Sequence, residues 1–508
     1  MRLQILLATV ALISTFCSAC SESRTCTAST LADIAVSYSI AQQNEQALKV
    51  VQQINSLTRR ADTLSQIALQ SAKAGQTEQA TVLFTQALQV ANKIESPPDK
   101  AMALEAIATR YGRVGQKDKA AEVLSQAVQE AKAIWGTSFV KDTVLEKIAV
   151  NYAQLGDYEQ AIQLTNKIVE DIPKGRALAR IVAQYVEEGD YNQARQVANT
   201  IEVQTSKANA LIEIAAKTGE YQPALSVATK IDEEESALAK SMILGKLALL
   251  FLKVGQEKQA DELLAEALNA AKNIEDKDTQ VSQFTKIAFL YLELGKKEQA
   301  VKVSAKTLQV ANEFPDVDKK AKIYAGVAVV YGKAGKTELA TSVLTQAVQI
   351  SETIKNKETK TQTLAEIAIA SAKINPYQQV LQFIQQTLGN ANTQAYALTR
   401  IAKDYEKAGD KEQAAKALEQ AFQIAQTLKN TNDKSQGLAD IAVQLGKIAQ
   451  YDRAVAVAQT IDVTQPNSPK TFALAKIANY YAKAGQKEKA IALLSQALQA
   501  ANTTQCSD

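Results

Sequence analysis

Gly335-Lys336-Thr337 is the tripeptide in this 508-residue chain that most invites a catalytic reading. Glycine, lysine and a hydroxyl in that order close the loop with which many nucleotide-binding proteins cradle phosphate. Such a loop needs another glycine five residues before the first and a strand leading into it. Val330 stands at that place, and the residues before it have helical spacing, so the match is fortuitous. Asp232, Glu234 and Glu235 form a carboxylate cluster between two helical segments, where solvated helix ends account for them. Histidine is absent, which removes the commonest general base, metal ligand and triad partner together. Of the cysteines Cys17, Cys20, Cys26 and Cys506, only Cys17 and Cys20 are close in sequence, and no second pair or histidine completes a metal site with them. Lysine plus arginine numbers 57 against 54 acidic residues, a net charge of +3, which offers no concentrated basic surface for nucleic acid. These residues predict no enzyme, no metal, no cofactor and no nucleic-acid partner. A pocket of lysine, tyrosine and glutamate is the remaining route to catalysis.

The first twenty residues differ from the rest. Arg2 is their sole charge, and Leu3 to Phe16 is an apolar run too short to anchor in a bilayer. This predicts an export signal over 1–19. Ser18-Ala19-Cys20 resembles the lipobox of bacterial lipoproteins, although Cys17 stands where that family has leucine. The resemblance implies lipidation at Cys20 and a periplasmic, membrane-anchored product; ordinary cleavage to a soluble one is the alternative. The expected layout is a signal peptide at 1–19, a tether at 20–28, a repeat array at 29–503 and a tail at 504–508.

The elements that would position any site are helices. Leu104, Ile107, Ala108 and Tyr111 fall at i, i+3, i+4 and i+7, one stripe of a helix. Ala120, Leu124 and Ala127 mark a second helix, and Gly115 lies between the two, where the chain must turn. The same grammar recurs around Tyr152/Gly156/Ala161, Tyr185/Gly189/Ala194, Tyr291/Gly295/Ala300, Tyr331/Gly335/Ala340, Tyr405/Gly409/Ala414 and Tyr481/Gly485/Ala490. Weaker copies centre on Ala47, Ala80, Ala224, Ala260, Val380 and Ala454, which makes thirteen units spaced by 30 to 41 residues. The prolines are expected between units or at their turns, outside every helix.

A leucine, a hydrophobe-small pair, a tyrosine, a turn glycine and then a small-large-small run resemble the tetratricopeptide repeat. The resemblance implies an all-α, right-handed α-solenoid (superhelix) of about thirteen antiparallel helix hairpins. It implies further that each first helix lines a concave groove, with the residues two before and one after the tyrosine facing a partner. In most units those residues are small or polar. In the middle they are Leu249 and Leu252 around Phe251, Phe289 and Leu292 around Tyr291, and Val329 before Tyr331. Stacked, they predict an apolar stripe for a protein or peptide partner, or core if the superhelix winds tightly. Five residues before the tyrosine, Lys246 and Lys286 continue a basic row with Lys147 and Arg180, while Glu366 and Asp440 are acidic.

Trp135, the sole tryptophan, is expected to cap the end of a hairpin. No polar helix follows the last one, whose Leu494 and Ala497 are apolar, so self-association through that end is expected. An open array would hold Cys26 and Cys506 too far apart to bond to each other. The function these features predict is an exported protein-protein interaction scaffold. The alternative is a carrier or sensor of a small apolar ligand, a lipid or wall fragment, in the same groove.

Overall fold

The computed structural model describes residues 23–135, 138–462 and 469–503. Every element among them is a helix, and none is long and apolar enough to cross a membrane. The helices pair into thirteen hairpins, the number expected from the repeat, and they cluster into two compact units.

The first unit takes in both ends of the chain, Met1–Ile94 and Asn430–Asp508. Its hairpins are α1 (Ser23–Ile40) with α2 (Asn44–Gln52), and α3 (Leu57–Lys73) with α4 (Thr77–Ala91). From the far end come α23 (Thr431–Lys447) with α24 (Tyr451–Gln459), and α25 (Pro469–Lys483) with α26 (Lys487–Thr503). The second unit, Glu95–Lys429, holds the other nine hairpins. These begin with α5 (Pro97–Arg113) and α6 (Lys117–Lys132), α7 (Ser138–Leu155) and α8 (Tyr158–Thr165), and α9 (Asp171–Glu188) and α10 (Tyr191–Thr200). Next are α11 (Gln204–Thr218) and α12 (Gln222–Thr229), α13 (Glu233–Lys253) and α14 (Glu257–Lys272), and α15 (Lys277–Glu293) and α16 (Lys297–Ala311). The last are α17 (Val317–Lys333) and α18 (Thr337–Glu352), α19 (Lys357–Ala372) and α20 (Tyr377–Thr387), and α21 (Ala391–Lys407) and α22 (Lys411–Gln426).

One turn chemistry builds most of these hairpins. The carbonyl of the repeat tyrosine accepts the backbone N–H five residues later, as in Gln116 to Tyr111 at 3.0 Å and Lys336 to Tyr331 at 2.9 Å. The residue in between, Gly115 at φ 81°, must be left-handed for that bond to close, which explains the fixed tyrosine-to-glycine spacing. In the first and twelfth hairpins Gln42 (φ 64°) and Ala449 (φ 68°) take the same conformation without being glycine. Small residues then let the two helices meet: Ala108, Ala120, Leu124 and Tyr111 are all buried at the third hairpin.

The uneven spacing of the units is set by the second helices. Those of α2, α8, α10, α12, α20 and α24 run 8 to 11 residues, and those of α4, α6, α14, α16, α18, α22 and α26 run 15 to 17. A spacing of 40 or 41 follows each long one before the last. The prolines depart from expectation. Pro97, Pro173, Pro223 and Pro469 lie in the first turn of helices rather than outside them, where a missing N–H has no partner to lose. The array also starts at Ser23, inside the stretch expected to be tether.

Within the first unit, α1 packs against α25 and α26. Lys476 Nζ lies 2.9 Å from Asp33, Asn479 Nδ2 donates to Ser37 Oγ at 3.1 Å, and Lys487 Nζ donates to Gln42 Oε1 at 2.6 Å. The Tyr38 and Ser495 hydroxyls are 3.3 Å apart. This contact corrects two expectations, that the ends lie far apart and that the last hairpin is bare. The first helix supplies the missing cap.

Candidate interaction surface

The groove residues expected from the repeat lie on α13, α15 and α17 of the second unit. Leu249, Leu252, Phe289 and Leu292 are half-buried and reachable from solvent. Val329 is not: it is 5% exposed, and Val327 to Tyr331 are buried without a break. The turn that follows α19 approaches closely there. A Cβ at Gly332 would sit 2.8 Å from Ile374 Cβ, so only glycine admits the contact. Val329 is therefore core, and the stripe is two hairpins wide rather than three.

The stripe is also less bare than its sequence implies. Lys333 Nζ lies 5.5 Å from the centre of the Phe289 ring, close enough for a cation–π contact. Lys246 is exposed, and its ammonium donates to Asn209 Oδ1 on α11 at 2.6 Å. Lys286, Lys147 and Arg180 are exposed. Glu366 faces Arg400 of the next first helix at 3.8 Å. These lysines give the leucines a basic border.

A second surface lies where successive hairpins connect, and sequence reading missed it. Trp135 is 94% exposed and caps nothing, contrary to expectation. Phe139 and Val140 on the first turn of α7 are exposed, as are Val169 and Ile172 at the entry to α9. Asp142 Oδ2 accepts the N–H groups of Val169 and Glu170 at 3.1 and 2.9 Å. That bond holds the Val169 loop beside the start of α7, and Arg176 to Glu146 at 2.7 Å fastens the next turn. Trp135, Phe139, Val140, Val169 and Ile172 thus stand exposed at two successive hairpin connections, and large hydrophobic groups left in water usually mark a contact surface. The signal in the sequence was five large apolar residues at two successive hairpin connections, off the repeat's own stripe.

A cavity of about 690 Å³ opens where the sixth hairpin's turn faces α14. Tyr221 and Phe251, with ring centres 4.9 Å apart, lie at its base, and Glu220, Glu262, Glu266, Gln256 and Gln259 line its sides. Burial dominates the tyrosines of the repeat. It pushes Tyr291 up to about 12, with Asp261 adding to the rise, and Tyr377 up to about 12 with help from Tyr405. These hydroxyls stay protonated and structural at neutral pH, and nothing near them resembles an activated base.

The sequence matches the tetratricopeptide repeat family over residues 143–174 and 396–424. No curated protein matches it. Among solved structures it is similar to Ton1535 from Thermococcus onnurineus NA1, at 20% identity over 67% of this chain and 99% of that one, with a TM-score of 0.29. It is similar to a Rap protein complexed with competence and sporulation factor, at 14% identity over 72% and 97% of the two chains and a TM-score of 0.28. Aspartyl phosphate phosphatase F from Bacillus subtilis is 12% identical over 74% and 94%, with a TM-score of 0.28. At these values the likeness is one of helical architecture, and no partner or activity comes with it. Two stretches of the chain match the tetratricopeptide repeat, and the same helix hairpin recurs in thirteen copies among the described residues.

Proposed function

We propose that the protein is a scaffold that docks a partner polypeptide on the second unit. The observation that carries this reading is the exposed edge of Trp135, Phe139, Val140, Val169 and Ile172. A large aromatic ring standing almost wholly in water, beside four other apolar side chains, gains from a partner that removes it from solvent. The half-buried leucines of α13 and α15, bordered by Lys246 and Lys286, offer a second contact suited to an amphipathic, acidic segment. A small apolar ligand is the weaker alternative, because the cavity beside Tyr221 is lined by carboxylates and amides. A helical repeat surface of this kind argues for binding rather than catalysis.

Export is part of the same proposal and is supported by the leader alone. Residues 1–22, Cys20 included, lie outside the described residues. Lipidation at Cys20 would hold the scaffold at a membrane; Cys20→Ala would release it to the soluble fraction.

Trp135 supplies its own test, since it is the sole tryptophan. Partners captured from native envelopes on the wild-type chain are compared with those on Trp135→Ser/Val169→Ser and on Leu249→Glu/Phe289→Glu. The recovered partner is then titrated against wild type. Loss of capture by the Trp135 pair, with a blue shift of tryptophan emission on titration, supports the edge. Unchanged capture by that pair and an unmoved emission would sink it.

A further inference from the structure

The cavity of about 690 Å³ between the sixth and seventh hairpins follows from their unequal second helices. α12 runs 8 residues and α14 runs 16. Matched at their opening alanines, Ala224 and Ala260, α12 ends at Thr229, level with Ala265, while α14 continues to Lys272. Thr229 and Glu266 both line the cavity, which therefore reaches the register where the shorter helix gives out. A volume of this size suits an organic ligand, since such sites run from about 300 to 1,000 Å³.

The repeat itself indicates which chemistry fits. Tyr221 stands three before its opening alanine, and Phe251 holds the tyrosine site of the next hairpin. Tyr451 and Tyr481 hold the same two positions in the twelfth and thirteenth hairpins. The ring centres are 4.9 Å apart in both pairs, and the rings are tilted by 49° and 43°. In the later pair a cation already sits on the rings. Lys489 Nζ lies 5.3 Å from the centre of the Tyr481 ring and donates to Asp452 Oδ1 at 3.0 Å. Lys489 directly precedes its opening alanine, and the residue at that place beside the cavity is Gln259. The ring pair of the cavity thus lacks the ammonium that its counterpart holds.

The walls carry the complementary charge. No lysine or arginine lines the cavity, whereas Glu220, Glu262 and Glu266 do. Arg195 pairs with Glu220 at 2.8 Å, and Lys258 stands 3.9 Å from Glu262 with both side chains well exposed. Glu266 is half-buried and has no cation partner among the described residues. No group of three acidic side chains among those residues gathers closely enough to hold a metal ion, so the charge suits a larger cation.

We propose that this cavity binds an organic cation, an alkylammonium or guanidinium on an apolar stem. Its charge lies over the Tyr221 and Phe251 rings and between Glu262 and Glu266, and its stem lies along Leu225 and Leu263. A free polyamine and a lysine or arginine side chain of a polypeptide share this chemistry. The site does not depend on the Trp135 edge.

The full chain is titrated by calorimetry with spermidine and, separately, with a trilysine peptide amide. Magnesium chloride at matched ionic strength controls for unspecific attraction. Wild type should bind an organic cation at one site per chain and more tightly than magnesium. Tighter binding of spermidine assigns the site to a free polyamine, and tighter binding of the peptide assigns it to a basic side chain. Glu262→Gln/Glu266→Gln should weaken binding about tenfold, as the loss of two exposed ion pairs would. Gln259→Lys, which copies Lys489, should fill the ring site from within and abolish binding while circular dichroism stays unchanged. Both substituted positions are on the open side of α14, so the fold is not at stake. No binding of either probe, an equal response to magnesium, or unchanged binding by both variants would overturn the proposal. Trp135→Ser/Val169→Ser should bind the probes as wild type does, so this site and the partner edge fail independently.

Discussion

Truncating Ile34 to alanine tests whether both ends of the chain stand as one packed body. Ile34 is fully buried on α1, in line with buried Leu31, Ala35 and Tyr38. Removing three carbons from such a site costs about 2–5 kcal/mol, the transfer term plus the cavity left behind. The Asp33–Lys476 pair beside it is more than a third exposed on each side chain, so it contributes at most about 1 kcal/mol. Packing therefore outranks the ion pair, and Ile34→Ala should destabilise the first unit several times more than Asp33→Asn. Hydrogen exchange read by mass spectrometry localises the loss. Protection should fall in residues 469–503 as well as in 23–73, although nearly 400 residues separate the two stretches along the chain. Unchanged protection over 469–503, or equal costs for the two variants, would refute this account of how the ends are held.

Two further outcomes follow from the turns and the tyrosines. Ala449 holds a left-handed conformation at φ 68° on the surface, which costs an L-residue roughly 1–2 kcal/mol; part of that returns as backbone entropy when glycine replaces it. Ala449→Gly should therefore raise stability by about 0.5 kcal/mol in urea denaturation, whereas Gly115→Ala should lower it. Tyr291 and Tyr377 are pushed up to about 12 by burial, against 10 in an unfolded chain. Their contribution to stability is intact below pH 10 and is lost as pH rises from 10 through 12. An ultraviolet titration should show these phenols ionising together with alkaline unfolding, and early ionisation in the folded chain would contradict the burial argument.

Much of the fold was legible because one local rule repeats. The tyrosine, the glycine four residues on and the alanine that opens the next helix located the strong copies, and the residue opening each second helix, alanine or Val380, carried the count to thirteen through the weaker ones. The spacing between units encoded the length of each second helix. What escaped was decided by neighbours distant in the chain. Val329 reads as groove by its position, but Gly332 lets the turn after α19 approach closely, and Val329 is buried. Trp135 reads as a cap by its hydrophobicity, yet it stands almost wholly exposed. That α1 meets α26 is a contact between elements far apart in the chain, to which no single repeat is a guide. The prolines were misplaced by one turn, since a first turn tolerates what an interior does not.

The contact between Asp33 and Lys476 joins residues 443 apart in sequence, and this orders events during biosynthesis. Hairpins form from local contacts and can fold as they emerge, but the first helix has to wait for the last before its outer face is covered. Through nearly all of synthesis that apolar face has yet to meet the helices that cover it. The first helix is then the segment most open to proteases and to chaperones. A chain cut short by even one hairpin would lack the surface on which that helix settles, so truncated products would betray themselves at the end opposite to the truncation.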